Sequence, residues 1–304
     1  MENVFRKFYR NLYLHTGGFI PAKPLNQKML PGDFFQIQNG EMILLGNIFR
    51  NHIIDREYVV FGNNNLINPS GWSFSEGVNK AYSGRAIGQG PVTGNFEYSK
   101  QVLLFSERAS FIFKGNEPES VRIANWNDWQ QALIIKLTTT LFSFRELYVV
   151  TESAGLNDWT LAIAGSRDAE LEIATESENF GLVEIFGYPS KTIQSKDIDY
   201  YHREEKRKPV FFKAKKLTVQ DEKLQVFISN LLNQLPGYNE WASAFYDFDF
   251  DYDNQYSPHP QQFSHAGVLE MLQANELNPN TALQYFKWTD ANMDDIEKLF
   301  MVYG

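Results

Sequence analysis

Residues 156–186 read LNDWTLAIAGSRDAELEIATESENFGLVEIF, and apolar residues recur there at alternate positions. The alternation is carried by Trp159, Leu161, Ile163, Leu171 and Ile173, and later by Leu182, Val183 and Ile185. Polar residues, chiefly Thr, Ser, Glu, Arg and Asp, stand between them. A period of two places successive side chains on opposite faces of a β-strand. The stretch therefore predicts strands with one apolar face and one polar face.

A second stretch, residues 95–114, alternates in a similar way. Its apolar positions include Phe96, Tyr98, Phe111 and Phe113. In a soluble protein such strands form an ordinary half-buried sheet, which is the default interpretation. Segments of about 9–11 residues with the same period are also what a membrane barrel requires, with one face to lipid and one to water. Periodicity alone does not separate the two structures.

Turn and strand signals continue through most of the chain up to about residue 217. Further strands are predicted over residues 34–38, 42–45, 58–61 and 146–152. The first two are joined at Asn39-Gly40, a pair typical of tight hairpin turns. One helix is predicted over residues 129–137, with Asn127 or Asp128 as its cap. We therefore expect an α+β fold with a large, twisted, mostly antiparallel sheet and flanking helices.

The composition is that of a folded, intracellular protein. With 304 residues, 43% of them hydrophobic, the chain can form one large domain and a small one. It contains no cysteine, which excludes disulfides, thiolate metal sites and cysteine nucleophiles and fits a reducing cytoplasm. No signal-peptide pattern and no run of about 18 apolar residues occurs, so we expect a protein that is soluble as made.

The first element is predicted to be an amphipathic helix. Its apolar face comprises Phe5, Phe8, Tyr9 and Leu12, and its opposite face carries Arg6, Lys7 and Arg10. Gly17-Gly18 end it. The basic face is either solvated or directed to a membrane surface, because clustered cations beside aromatic residues suit anionic headgroups.

The negative charge of the chain is concentrated in residues 236–304. That segment holds eleven carboxylates and two lysines, whereas acidic and basic residues balance in the rest of the chain. The net charge of −9 therefore belongs to the tail. An acidic tail on a neutral body with basic patches indicates an internal partner that masks a surface.

The tail has a predicted order of helix, linker and short helices. Residues 220–235 predict an amphipathic helix, and residues 237–264 form an acidic, aromatic linker. Short helices are predicted around residues 268–272, 282–286 and 296–300, which makes residues 265–304 a small helical segment.

The linker limits which proteases could cut it. No Lys or Arg occurs between Lys223 and Lys287, so a trypsin-like protease would find no site there. An aspartate-specific, caspase-like protease would suit the linker's four aspartates, which are Asp247, Asp249, Asp251 and Asp253. Its Phe and Tyr residues would suit a chymotryptic protease. Exposed linkers are the segments that proteases cut most readily.

Signals for catalysis and for bound cofactors are weak. The aspartate run lacks the glycine and the bidentate glutamate of a calcium loop. Gly88-x-Gly90 departs from the dinucleotide fingerprint, and the five histidines show no paired metal spacing. We therefore predict no enzyme activity, no cofactor, no metal and no nucleic-acid partner.

Three segments together resemble the gasdermin family of pore-forming proteins, and especially its bacterial branch. They are Phe5 with its basic cluster followed by Gly17-Gly-Phe-Ile-Pro-Ala-Lys-Pro-Leu25, then Leu147-Tyr-Val-Val-Thr-Glu152, and finally Pro209-Val-Phe-Phe-Lys-Ala-Lys-Lys-Leu217. The family has a basic first helix before a Gly-Gly segment, a Tyr-Val-Val-Thr-Glu strand before a long amphipathic β segment, and a strand that closes the domain. The order and spacing of these motifs carry the resemblance.

The resemblance implies a pore-forming domain over residues 1–236, the linker 237–264 and an inhibitory segment 265–304. Proteolytic removal of that segment would let copies, monomeric while inhibited, assemble in the membrane into one large β-barrel, which satisfies its backbone polar groups in lipid. The two alternating stretches would supply the membrane strands. The protein would be cytoplasmic before activation and at the inner membrane afterwards, where the pore would cause cell death in defence against phage.

The resemblance also implies which residues contact anionic lipids after activation. They are Arg6, Lys7, Arg10, Arg203, Lys206, Arg207 and Lys208, with Lys213, Lys215 and Lys216 close to the second group. Each cation near an anionic leaflet would add roughly 1 kcal/mol of attraction. The plainer interpretation of the second group is a solvated charge run, partly neutralised by Glu204 and Glu205. In either case the tail carboxylates are expected to pair with basic patches of the body.

One feature departs from the bacterial pattern, and one alternative function stays open. Bacterial members often carry an acylated cysteine near the N-terminus, and this chain has none. The alternative is a non-pore interaction or immunity protein, in which the sheet is permanent and the acidic tail binds a basic partner.

Overall fold

The computed structural model describes residues 2–66, 68, 70–90, 94–138, 147–175, 192–219, 282–284 and 286–301. Its first strands are β1 (Ile20–Pro21), β2 (Asp33–Gln38), β3 (Glu41–Asn47), β4 (Phe61–Leu66), β5 (Trp72–Glu76), β6 (Val78–Gly90), β7 (Gly94–Phe105) and β8 (Phe111–Asn116). They are followed by β9 (Glu119–Ile123), β10 (Tyr148–Gly155), β11 (Asp158–Ala164), β12 (Ala169–Thr175), β13 (Thr192–Lys196), β14 (Ile198–Glu204), β15 (Pro209–Val219) and β16 (Phe286–Asp290). The longer helices are α1 (Arg6–Thr16), α2 (Trp126–Thr138) and α3 (Met293–Lys298).

The strands form three sheets in which every described pairing is antiparallel. The main sheet runs β1-β15-β10-β2-β3, with β16 added to β15, and with β9 and then β4 added to β10. The near sheet runs β14-β11-β8-β5, and the far sheet runs β13-β12-β7-β6. The predicted α+β class, with mostly antiparallel sheets and flanking helices, is confirmed.

The near and far sheets are one four-stranded ribbon that bends sharply. β5 continues into β6, β7 into β8, β11 into β12 and β13 into β14, and the strand order is the same on both sides. One residue at each crossing has a left-handed backbone: φ is 66° at Gly77, 63° at Ala109, 58° at Asp168 and 56° at Asp197. Non-glycine residues rarely adopt this conformation, so its recurrence in all four strands marks the line where the ribbon turns. We call this line the bend.

The structure confirms the predicted hairpin turn at Asn39-Gly40 and corrects two other predictions, a strand and a helix cap. Asn39 and Gly40 have φ of 50° and 78°, as a tight hairpin between β2 and β3 requires. The strand predicted over residues 58–61 is wrong for most of its length, because Arg56–Tyr58 form a 3-10 turn and β4 begins only at Phe61. α2 starts at Trp126, so Asn127 and Asp128 lie inside its first turn and do not cap it.

Three apolar clusters pack between these layers. The first joins α1, the main sheet and the near sheet, and Phe8 lies fully buried there, 5.3 Å from Phe113 between ring centroids. The second surrounds α2. The third lies inside the bend, where Leu103, Phe105 and Leu171 of the far sheet pack with Ala162 and Ala164 of β11. The far sheet therefore packs on the near sheet through an apolar cluster that is distinct from the other two.

The tail is predicted to form short helices, but the structure shows a strand as well. A helical turn occupies residues 282–284, but Phe286 begins strand β16, and α3 follows at Met293. Phe286 and Trp288 alternate with polar residues, a strand period, and the edge of β15 accepts them in antiparallel register. The helices predicted at 220–235 and 268–272 lie outside the described residues. The domain boundaries at 236 and 264 lie there too and stay a prediction.

Replacing Gly77 by alanine tests how tightly the bend is packed. A Cβ at Gly77 would lie 2.3 Å from Ser110 Oγ, whereas Gly17, with a similar φ of 68°, has open space around its Cβ position. G17A therefore isolates the backbone cost, about 1 kcal/mol, which corresponds to about 1.5 °C in Tm for a chain of this size. We expect G77A to lower Tm by more than G17A in thermal unfolding followed by circular dichroism. Equal shifts would contradict the packing described at the bend.

Candidate functional site

The tail docks on the body through a strand. β16 extends the main sheet along β15, with Trp288 opposite Leu217 and Asp290 opposite Lys215. The Trp288 ring meets that of Trp126 edge-on at 5.4 Å, and its Nε1 donates a hydrogen bond to the Gln130 carbonyl oxygen at 3.0 Å. The tail therefore contacts both the main sheet and α2.

Helix α3 places a carboxylate in the core. Asn292 and Asp295 cap the helix reciprocally, and Asp295 is only 1% exposed. Asp295 Oδ1 accepts hydrogen bonds from Tyr148 Oη and from Lys216 Nζ, each at 2.8 Å. A buried charge is tolerated only when it is paired and hydrogen-bonded in this way. The contact thus ties the tail to strands β10 and β15.

The three predicted lipid-contact cations of α1 are all paired, but with two different partners. Glu297 of α3 pairs with Arg6 at 2.5 Å and with Arg10 at 3.4 Å. Lys7 turns to the bend instead, where it donates a hydrogen bond to Glu107 and lies 3.5 Å from Glu76. The hydrogen bond to Glu107 outweighs desolvation by burial and raises the pKa of Lys7. The tail therefore pairs with Arg6 and Arg10, which stay about half exposed, whereas Lys7 contacts the bend.

The second predicted cation group is mostly paired within the body. Its described ion pairs are Arg203 with Glu205 at 3.2 Å, Arg207 with Glu119 at 2.8 Å, and Lys208 with Glu204 at 2.5 Å. Lys206 is exposed. The described tail carboxylates pair instead with the neighbouring lysines of β15: Asp290 with Lys215 at 2.7 Å, and Asp295 with Lys216 at 2.8 Å. The expected pairing of tail acid with body base is thus found at β15 and at α1.

Lys23 is a tail contact that the sequence analysis missed. Its Nζ donates hydrogen bonds to the Leu299 carbonyl oxygen at 2.5 Å and to the Gly40 carbonyl oxygen at 2.7 Å. The same ammonium lies 5.0 Å from the centre of the Phe300 ring. Backbone carbonyls leave no mark in a charge pattern, so a search for oppositely charged residues does not find this contact.

The predicted membrane-strand residues are divided between two clusters. The body's core contains Phe111, Phe113, Trp159, Leu161 and Ile163, and the far-sheet cluster contains Leu171 and Ile173. Phe96 and Tyr98 belong to β7, and their side chains lie outside the part of the chain that the structure describes. The predicted cleavage aspartates Asp247, Asp249, Asp251 and Asp253 lie outside the described residues.

Searches for related proteins yield little. No protein-family model and no curated protein matches this chain. Among solved structures, it is similar to a bacterial gasdermin from Bradyrhizobium tropiciagri, with 12% identity, a TM-score of 0.26, and coverage of 66% of this chain and 81% of that one. Similarity of this degree does not establish a common fold or function. Among the described residues, no helix is both long and apolar enough to cross a bilayer.

Neutralising the tail carboxylates should loosen the tail in a defined order. E297Q removes two partly exposed ion pairs, and pairs near the surface contribute about 0.2–1 kcal/mol each. D295N leaves Lys216 without its buried partner, a change that costs about 3–5 kcal/mol in other proteins. We expect hydrogen exchange of the β16 and α3 amides to rise slightly in E297Q and strongly in D295N, with β11 unchanged.

E57Q is the matched control, because Glu57 is an exposed carboxylate on the 3-10 turn before β4. Exchange in D295N that is no faster than in E57Q would contradict the assigned role of Asp295.

Proposed function

We propose that this chain is an autoinhibited, gasdermin-like pore-forming protein without enzymatic activity. In this proposal residues 282–301 hold the inhibited state, and removal of the tail by an aspartate-specific protease frees the body to bind anionic lipid. The freed copies then assemble in the inner membrane into a β-barrel that kills the cell in antiviral defence. The inhibited protein is a cytoplasmic monomer in this proposal.

The observation that carries the proposal is the far sheet. Strands β6 and β7 have 13 and 12 residues, which exceeds the roughly 9–11 that cross a bilayer as a tilted strand. The sheet also has two unlike faces: Leu103 and Leu171 lie opposite each other in the apolar cluster, whereas Lys100 pairs with Glu172 at 2.8 Å on the other face. A lipid face and a water face are what a barrel strand needs.

The packing narrows the proposed membrane segment to this sheet. The near-sheet strands β5, β8 and β11 have five, six and seven residues, and their apolar side chains pack against α1 and the main sheet. Moving them into lipid would dismantle the body's core. We therefore assign the lipid-facing role to Leu103, Phe105, Leu171 and Ile173, and keep Phe111, Phe113, Trp159, Leu161 and Ile163 in the body.

The ion pairs of the tail supply the proposed switch. Loss of the tail would unpair Arg6, Arg10, Lys215 and Lys216 at once, and would remove the carboxylates that now face them. We propose these four as the first contacts with anionic headgroups. In this proposal Arg203, Arg207 and Lys208 keep their ion-pair partners in the body. They would therefore contribute less to lipid binding than the four cations above.

Cleavage of the folded chain tests the function directly. A recognition sequence for a site-specific protease is placed between residues 245 and 255, and the chain is mixed with liposomes that contain anionic lipid and a trapped dye. We expect no dye release before cleavage and release once the tail fragment has separated, because separation leaves the cations without their tail carboxylates. Chain without the inserted sequence, treated with the same protease, is the control. Intact liposomes after complete cleavage and separation would favour the non-pore interaction protein.

The double variant R6Q/R10Q tests the proposed lipid contacts in the same assay. Glutamine removes the charge without creating repulsion against Glu297. We expect dye release after cleavage to fall, and to fall less at high salt, where the charges of the parent chain are already screened. R50Q/R56Q, which removes two exposed cations of another surface, should release dye as the parent does. Equal dye release by R6Q/R10Q and R50Q/R56Q would contradict the proposal that Arg6 and Arg10 contact lipid.

A further inference from the structure

The central pair of the ribbon keeps one register across the bend. Phe111 faces Ile163 on the near side, and Phe105 faces Ala169 on the far side. Five residues separate these positions in each strand, 106–110 in one and 164–168 in the other. The two strands stay in contact through the bend, where Ala109 and Ala164 are joined by a backbone hydrogen bond of 2.9 Å. The central pair could thus straighten without changing its pairing.

The outer strands do not match this length. Glu76 faces Phe111 and Val78 faces Phe105. The outer strand therefore crosses the bend with one residue, Gly77, whereas its central neighbour crosses it with five, residues 106–110. On the other side Ile198 faces Ala164 and Lys196 faces Glu170, so Asp197 again stands against five residues. Each central strand therefore carries an excess of four residues over its outer neighbour.

Because of this excess, the outer strands can keep their present pairing only while the ribbon is bent. A straight ribbon needs a different register between the outer and central strands. A straight pair would have one residue opposite one residue across the bend. Each outer strand would then slide by four residues, about 13 Å at about 3.3 Å per residue. The slide keeps the one-residue bulge that each outer strand carries beside the bend, at Ala81 in β6 and at Asp199 in β14. Four is an even number. A slide by an even number leaves every side chain on its own face of the sheet, whereas an odd slide would exchange the faces.

Contacts from α1 and within the bend hold the present register. The Gly77 carbonyl oxygen accepts hydrogen bonds from the Ser106 amide at 2.9 Å and its hydroxyl at 3.1 Å. Asn11 of α1 donates a hydrogen bond to Glu76 at 2.7 Å, beside the Lys7 contacts already described. The near sheet is fixed by α1 and the main core, so the far sheet is the part that can move.

We propose that β6 and β13 slide by four residues along the central pair when the far sheet enters a membrane, which converts the bent ribbon into a straight one. This inference rests on the proposed function. The partner of Ala86 in β7 then changes from Tyr98, its present opposite, to Val102. The apolar and charged faces of the sheet are unchanged by the slide.

Engineered disulfides can distinguish the two registers, because the chain has no cysteine of its own. Directly opposite residues lie about 4.5–5.5 Å apart at Cα, within the range of a disulfide. A86C/Y98C therefore locks the present register, and A86C/V102C can close only after the slide. L104C/E170C is the control, since it joins two opposite residues of the central pair, whose register does not change. All three variants carry the inserted protease site.

We expect oxidised A86C/Y98C, once cleaved, to release no more dye than the uncleaved chain, and reductant to restore release. Oxidised L104C/E170C should release dye normally. A86C/V102C should form its disulfide only after cleavage in the presence of liposomes. Full release by oxidised A86C/Y98C, or absence of the A86C/V102C disulfide in leaking liposomes, would overturn the slide. Absence of release by the cleaved, reduced A86C/Y98C chain would instead overturn the proposed function.

Discussion

Helix α1 connects the tail to the bend, and its apolar face fixes its position. Phe8 and Leu12 are fully buried, and burial contributes about 1.5–3 kcal/mol for each such side chain. The ion pairs on the polar face are partly exposed, and such pairs contribute about 0.2–1 kcal/mol each. Packing therefore decides where α1 lies, and the ion pairs decide what it is tied to. Its cations reach the tail on one side and the bend on the other.

The tail is held by buried apolar side chains as well as by charge contacts, since Phe286, Ile296 and Leu299 are each at most 2% exposed. The β16 pairing, the rings of Trp288 and Trp126, and the buried Asp295 give the tail a specific seat on the body. Its other charge contacts are near the surface and sensitive to salt. In a chain cut in the linker, the described contacts of residues 282–301 would still hold the tail, and in the proposed mechanism their dissociation completes activation.

The sequence predicted much of this fold because its strands obey a simple period. Alternation over residues 156–186 located β11 and β12, and Asn39-Gly40 located a hairpin. The bend was not predictable in this way, because Ala109 has no residue-type signal for a left-handed backbone and the signal of Asp168 and Asp197 is much weaker than that of glycine. Parity also continues unchanged from Ile163 to Leu171, so the pattern does not reveal the turn between them.

The candidate site was predicted in outline only. The concentration of acid in the tail and of base in α1 correctly indicated that they meet, at Glu297 with Arg6 and Arg10. Charge patterns do not specify which residues pair, however. Lys7 pairs with Glu76 and Glu107 at the bend, about 70 and 100 residues away in sequence. These elements come together only in the folded chain. β16 was missed because five residues are too few to separate a strand from a helical turn by period alone.

The most direct measurement of the central claim is dye release from anionic liposomes by one and the same chain before and after cleavage between residues 245 and 255. The account predicts intact liposomes before the cut and release once the tail has separated. Intact liposomes in both states, with the body still folded, would contradict it.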